Sequence, residues 1–195
     1  MRRKSFDTLA SAAALVVAAV LLAAAGLLFW AHSFVSDNVR TQLAAEKVFF
    51  PPAGSKALSD PDIKPYLTKY AGQQLVTGDQ AKAYADHFIA VHLKATTGGK
   101  TYSELSAQAQ AAPNDTVLAA KVATAFKGET LRGLLLNAYA FGTMAKVAFV
   151  AFWIALGSGL LLLGLAALGL LHARRTSIDV ELHVPGWHPE SQPAV

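Results

Sequence analysis

The sequence predicts an all-α membrane protein in which two transmembrane helices flank a small helical extracytoplasmic domain. Three observations carry that expectation. Two long uncharged apolar runs stand near the two ends of the 195-residue chain. The stretch between them is punctuated by helix caps, Pro and Gly, with no convincing period-two alternation. Charged residues make up only 15% against 53% hydrophobic, whereas a soluble domain carries about 25% charged. The expected division is 1–8 as cytoplasmic N-terminus, 9–31 as the first span and 32–146 as the extracytoplasmic domain, then 147–171 as the second span and 172–195 as a cytoplasmic tail.

Residues 9–31, LASAAALVVAAVLLAAAGLLFWA, contain no charge, and 23 such residues make about 34 Å of helix. Arg2, Arg3 and Lys4 precede the run, and Trp30 and His32 close it where an interfacial aromatic belt belongs. The run is longer than the roughly 7–15 apolar residues of a cleaved signal peptide, which favours an uncleaved signal anchor. Beyond it, Val35, Val39 and Leu43 keep a four-residue spacing, so the helix is expected to project outward until FFPPAGS stops it.

In the middle segment, Asp62 or Lys64 ahead of Pro65 opens a short helix through Tyr70, closed by Gly72. Thr77 to Gln80 has the form of a capping box. Ala81, Tyr84, Ala85, Phe88, Val91, His92 and Ala95 then share one face of a helix that Gly98-Gly99 terminates. Thr101 to Glu104 is a second box, opening a helix that reaches Pro113. Asn114 or Asp115 caps a further helix expected to end at Gly128. Leu131, Leu134, Leu135, Ala138, Gly142 and Ala145 form the next apolar face, with Arg132, Tyr139 and Thr143 on the other side. That helix is expected to pack in the domain and run on as a stalk into residues 147–171.

The second span, 147–171, lies between Lys146 and the sequence HARR. Arg2, Arg3 and Lys4 then fall on the same side as Arg174 and Arg175, and the positive-inside rule places both termini in the cytoplasm and the chain in the plasma membrane. Neither span has a titratable residue at its centre, which disfavours an ion or proton path. Small residues recur instead: Ala10, Ala14 and Ala18, Ala19 with Ala23, and Ala155 with Gly159, a spacing that lets helices approach closely.

Composition narrows the function classes. The absence of cysteine removes disulfides and thiolate chemistry. The net charge of +4 is spread over the chain without a basic patch interleaved with aromatics, so no nucleic acid partner is expected. His87 and His92 are five residues apart and on a regular helix point in different directions, so no metal is expected there. GxSxG, HExxH, Walker and Rossmann patterns are lacking, and Gly99-Lys100-Thr101 has no glycine at the Walker position before it, so it reads as a helix–helix turn. No catalytic residue and no cofactor are expected.

The candidate interaction residues are Tyr66 and Tyr70, one helical turn apart, Tyr84 and Phe88 on the apolar face, and Trp187 in the tail. In that tail Ile178, Val180, Leu182 and Val184 alternate with polar residues like a half-buried strand, against a background of prolines that favours disorder. The expected function is that of an interaction or accessory module with the lipid bilayer and a second copy or an envelope protein as partners. The alternative is a small-molecule sensor or binding protein that signals through a recruited partner.

The segments RRKSFD, VFFPPAGS, YAGQQLVTGDQAKAYADHFIAVHL, GGKTYSEL and GETLRGLLLNAYAFG together resemble a family of uncharacterised actinobacterial two-span membrane proteins. The resemblance covers nearly the whole chain. It implies the two-span architecture and brings no activity, cofactor or site residue with it.

Overall fold

The computed structural model describes residues 3–175; the alternating tail segment 178–184 and Trp187 lie outside the described residues. The described chain is helical apart from turns and one isolated antiparallel bridge, Phe49 with Gln74. Helices α1 (Arg3–Ala45) and α6 (Thr116–Arg175) are long and apolar enough to cross a membrane. Within their most apolar windows only 11% and 17% of residues are buried, unlike the core helix of a soluble protein. Between them stand α2 (Lys64–Leu67), α3 (Gly78–Tyr84), α4 (Ala90–Thr97) and α5 (Tyr102–Ala111). The chain divides into two compact units, Met1–Leu28 with Val150–Val195, and Phe29–Phe149.

In the first unit α1 and α6 lie antiparallel along a seam of small residues. Ser11, Ala18 and Ala25 are buried on α1, seven residues apart. Ala155, Ala166 and Ala173 are buried on α6. A methyl group added to Gly159 would come 3.0 Å from Leu22 Cγ, and one on Gly169 would strike the Ser11 hydroxyl. The expected four-residue rows are therefore corrected in part. Ala155 and Gly159 do stand in the seam, but Ala10, Ala19 and Ala23 are exposed. Two helices keep contact along a 3.5-residue stripe, and a strict every-fourth row rotates off it. The outward side chains, Val16, Val20, Ile154 and Leu161 among them, are 63–66% exposed, as suits a lipid-facing surface.

The second unit, Phe29–Phe149, has its own core of Leu43, Phe50, Leu58, Ile63, Leu67, Leu75 and Ala81. Phe50, Ile63, Leu67, Leu75 and Leu105 are each at most 2% exposed, and burying one such side chain is worth about 1.5–3 kcal/mol. Helix α1 ends at Ala45, before the prolines expected to stop it, where Lys47 adopts a left-handed conformation (φ 51°). The FFPP segment is extended instead. Phe50 N–H donates to Gln73 O, Leu75 N–H to Val48 O and Gly72 N–H to Pro51 O, so residues 48–51 pair with 72–75. Pro65 sits in the first turn of α2, where its missing N–H has no partner to lose.

Both capping boxes form in full: Thr77 with Gln80 opens α3, and Thr101 with Glu104 opens α5. The Thr101 backbone N–H and hydroxyl bonds hold the Glu104 carboxyl below the usual range. Helices α3 and α4 are one continuous run joined by a π-helical turn over Ala85–Ile89, which sequence periodicity did not anticipate. Gly98 (φ 66°) and Gly99 (φ 80°) end it as expected, because only a residue without Cβ takes two such positions freely.

The expected end of a helix at Gly128 is overturned. Asp115 caps α6 by accepting the Leu118 N–H at 2.9 Å, and the helix then runs 60 residues through Gly128 to Arg175, about 90 Å. Gly128 serves packing: its missing side chain admits Leu93, whose Cδ1 would stand 2.8 Å from an added Cβ. A lone glycine costs a long helix only about 1 kcal/mol, too little to end it when a close neighbour fills the space.

Candidate binding cleft

Helix α6 is the spine against which the rest of the second unit is registered. Backbone meets backbone where Gly78 crosses it, with Ala138 O 3.0 Å and Tyr139 Cα 3.1 Å from the position of a Cβ. Lys146 Nζ donates to Asp79, and Arg132 Nη2 donates to Asp86 at 3.0 Å. Leu93 completes the line against Gly128. The run α3–α4 thus lies antiparallel to α6. His32 Nδ1 lies 2.8 Å from Ala145 O and its ring packs 4.6 Å from Phe149, which places the outer part of α1 alongside the same spine.

The apolar face expected on residues 131–145 is rotated from its sequence reading. Leu135 and Ala138 join the core, Ala145 is buried and Gly142 meets Gly78, but Leu131 and Leu134 are 55% and 60% exposed. Arg132, expected on the outer side, instead turns toward Asp86. The Gly78 crossing over Ala138 and Gly142, Leu93 against Gly128 and the Arg132–Asp86 pair together face α6 to α3–α4, and Leu131 and Leu134 stand at the edge of that contact.

Asp86 is the centre of this polar contact. Its carboxyl accepts from Lys82 and Arg132 and its side chain is 21% exposed. Burial works to raise its pKa, but the bonds from Lys82 and Arg132 outweigh it and hold the carboxyl below the ordinary range. Asp86 in turn raises the Lys82 pKa through the same hydrogen bond, and Lys82 also lies 5.3 Å from the Tyr139 ring.

Where α1, α3–α4 and α6 diverge they leave a cleft of about 760 Å³ within the second unit. Val39, Leu43, Leu75, Ile89, Leu135 and Ala138 supply much of its apolar lining, with Leu131, Leu134 and Phe141 along α6. The polar lining is sparse: Gln42, Glu46, His92, Thr96, Thr124, Lys127 and Asn137. Volume and composition match sites that take small apolar ligands, typically about 300–1,000 Å³ with a few polar groups.

The structure separates the candidate residues. Tyr84 and Phe88 both line the cleft, their rings 4.7 Å apart, and burial pushes the Tyr84 phenol up. Tyr70 packs 5.1 Å from Phe50 in the core, and Tyr66 stacks on His87 at 3.5 Å with rings 5° from parallel. Neither tyrosine reaches the cleft lining. Within the π turn His87 and Phe88 face different neighbours, as consecutive residues of a helix do: His87 meets Tyr66 and Phe88 meets Tyr84. His92 keeps its Nδ1 on Phe88 O at 2.7 Å and lines the cleft.

A shallower groove of about 560 Å³ lies on the other side of Leu93, lined by Lys94, Lys100, Glu129 and Arg132 among others. Three of its charges have protein tasks: Glu129 accepts the Tyr102 N–H, Lys100 donates to Gln108 and Arg132 holds Asp86. Among the described residues no group of three His, Cys, Asp or Glu side chains is placed to hold a metal ion.

Periodicity placed Val39, Leu43, Leu131 and Leu134 on apolar faces without singling them out as interaction residues, and it left out Phe141; all five line the cleft. The signal for them was the continuation of apolar spacing beyond both spans. No protein-family model, no curated protein and no solved structure matches the chain.

Proposed function

We propose that the chain is a two-span plasma-membrane protein presenting an extracytoplasmic helical binding module, and that the module holds an elongated apolar molecule in the cleft of residues 29–149. The observation that carries this is the cleft itself, about 760 Å³ and walled by Tyr84, Phe88 and the apolar sides of α1 and α6. The cleft is open to the outside and leaves Leu131, Leu134 and Phe141 more than half exposed, apolar surface that an apolar occupant would cover. The orientation rests on Arg2, Arg3 and Lys4 at one end and Arg174 and Arg175 at the other, which the positive-inside rule assigns to the cytoplasm. In this reading the protein binds and presents its ligand rather than transforming it.

The test is mass spectrometry of the full chain released gently from detergent, comparing wild type with Leu134→Trp. Leu134 is 60% exposed on the cleft wall, so the larger indole narrows the cleft without disturbing the core. The expected result is a bound apolar molecule on the wild type that the variant has lost; equal retention by both would overturn the reading. Reporter fusions at residue 75 and at the C-terminus check the orientation, and a cytoplasmic signal at residue 75 would refute it.

A second reading takes the occupant to be an apolar helix of a partner or of a second copy. The exposed row Leu131, Leu134 and Phe141, each more than half exposed, favours it. Crosslinks from Leu134 to another polypeptide in cells, lost on adding the apolar ligand, would move the assignment there.

A further inference from the structure

The two helices of the first unit bring basic residues from opposite ends of the chain together. Ser11 of α1 lies against Gly169 of α6, where a Cβ on the glycine would strike its hydroxyl. From that contact Lys4 is seven residues toward the start of α1, about 10.5 Å along the axis. Arg174 and Arg175 are five and six residues toward the end of α6, about 7.5–9 Å. Because the helices are antiparallel, all three stand at one end of the unit within about 3 Å of the same height. Ala173, 4% exposed, keeps the last turn of α6 in the contact.

The acidic group nearest to them in the fold does not neutralise them. The ion pairs among the described residues are made elsewhere, by Lys82, Arg132 and Lys146. Asp7 stands one turn above Lys4 but pairs with none of the three, and its Oδ2 is buried without a hydrogen bond. Arg174 and Arg175 are exposed and Lys4 is half-buried. Asp179 and Glu181 follow in sequence, outside the described residues.

Depth points to the partner. Leu9 and Leu171 close the two spans at this end and are 61% and 50% exposed. Lys4 lies about 7.5 Å beyond Leu9, and Arg174 and Arg175 about 4.5–6 Å beyond Leu171. The polar layer on each side of a bilayer's hydrocarbon core is about 5–7 Å deep, so the three cations fall among lipid headgroups.

We propose that this end of the unit binds the phosphate of an anionic phospholipid, held by Lys4 from one helix and by Arg174 and Arg175 from the other. Guanidinium groups grip phosphate through paired N–H donors, and the ammonium adds a point charge. None of these residues lines the cleft. The site rests on the reading of α1 and α6 as membrane spans and is independent of what the cleft holds.

The test is native mass spectrometry of the full chain in detergent, titrated with phosphatidylglycerol or with phosphatidylcholine of the same acyl chains. The expected result is phosphatidylglycerol retained roughly tenfold more tightly. One basic residue near an anionic surface is worth about fivefold in affinity, so Lys4→Gln is expected to weaken phosphatidylglycerol by about that factor. Arg174→Gln combined with Arg175→Gln should weaken it roughly twentyfold, with phosphatidylcholine unchanged in both variants. Lys121→Gln, an exposed cation of the second unit, should leave the preference in place. Equal retention of the two lipids would overturn the site, and is the result expected if Asp179 and Glu181 already neutralise the arginines. A preference lost in Leu134→Trp but kept in the arginine variant would put the lipid in the cleft and overturn it as well. Abolition of the preference by excess glycerol 3-phosphate would make a soluble phosphate the ligand, against the proposal. Release of the chain from membranes by alkaline carbonate would refute the spans themselves, a failure separate from that of the site.

Discussion

Gly78→Ala tests the closest approach in the second unit. An added methyl group would lie 3.0 Å from Ala138 O, 3.1 Å from Tyr139 Cα and 3.4 Å from Gly142 Cα. All three are backbone atoms of a long helix, so no rotamer change relieves the contact and α3 must move away from α6. Overpacking of this kind costs about 1–3 kcal/mol. Replacing glycine in the first turn of a helix returns up to about 1 kcal/mol of backbone entropy. The net expected loss is about 1–2 kcal/mol, or roughly 3–8 °C in melting temperature.

The control is Gly133→Ala on α6. Gly133 is helical and exposed, with nothing within 4 Å of its added Cβ, so the same substitution is expected to stabilise by about 0.5–1 kcal/mol. Both variants are melted as full chains in the same detergent, with hydrogen exchange read over residues 78–97. Gly78→Ala should melt below wild type with faster exchange there, and Gly133→Ala at or above it. A Gly78→Ala protein as stable as Gly133→Ala would refute the close crossing and the register it sets for the cleft.

Gln80→Ala removes an oxygen that accepts Val76 N–H at 2.8 Å and Thr77 N–H at 3.0 Å, and is expected to cost about 1–2 kcal/mol, seen as faster amide exchange at both. Asp86→Asn is expected to lower stability by roughly 1 kcal/mol at neutral pH, as befits a partly exposed ion cluster. The pKa of Asp86 is depressed by folding, so its contribution is full above the ordinary carboxylate range and is lost as pH falls through the lower folded value. Melting curves of wild type and Asp86→Asn should therefore converge in acid, and a constant gap would show that the carboxylate charge is not what matters. Ala18→Leu, at a fully buried seam position, is expected to melt lower, whereas Val17→Leu, 49% exposed one residue away, is near neutral.

The sequence determined much of this protein by local rules. Both long apolar runs, both capping boxes, the Gly98-Gly99 stop and the helical class follow from periodicity and from side chains bonding backbone groups within four residues. Such interactions need no distant partner, so they are legible one segment at a time. Tertiary structure decided what local rules leave balanced. Gly128 reads as a stop until Leu93 fills its space, and the helix then continues to Arg175. Arg132 reads as lying opposite the apolar face until Asp86 of the π turn claims it, and Leu131 and Leu134 stand at the cleft edge. Tyr66 and Tyr84 look alike in sequence, yet one stacks on His87 and the other lines the cleft. At Gly128 the local preference is worth only about 1 kcal/mol, and in each case contacts between segments far apart in sequence decide the outcome.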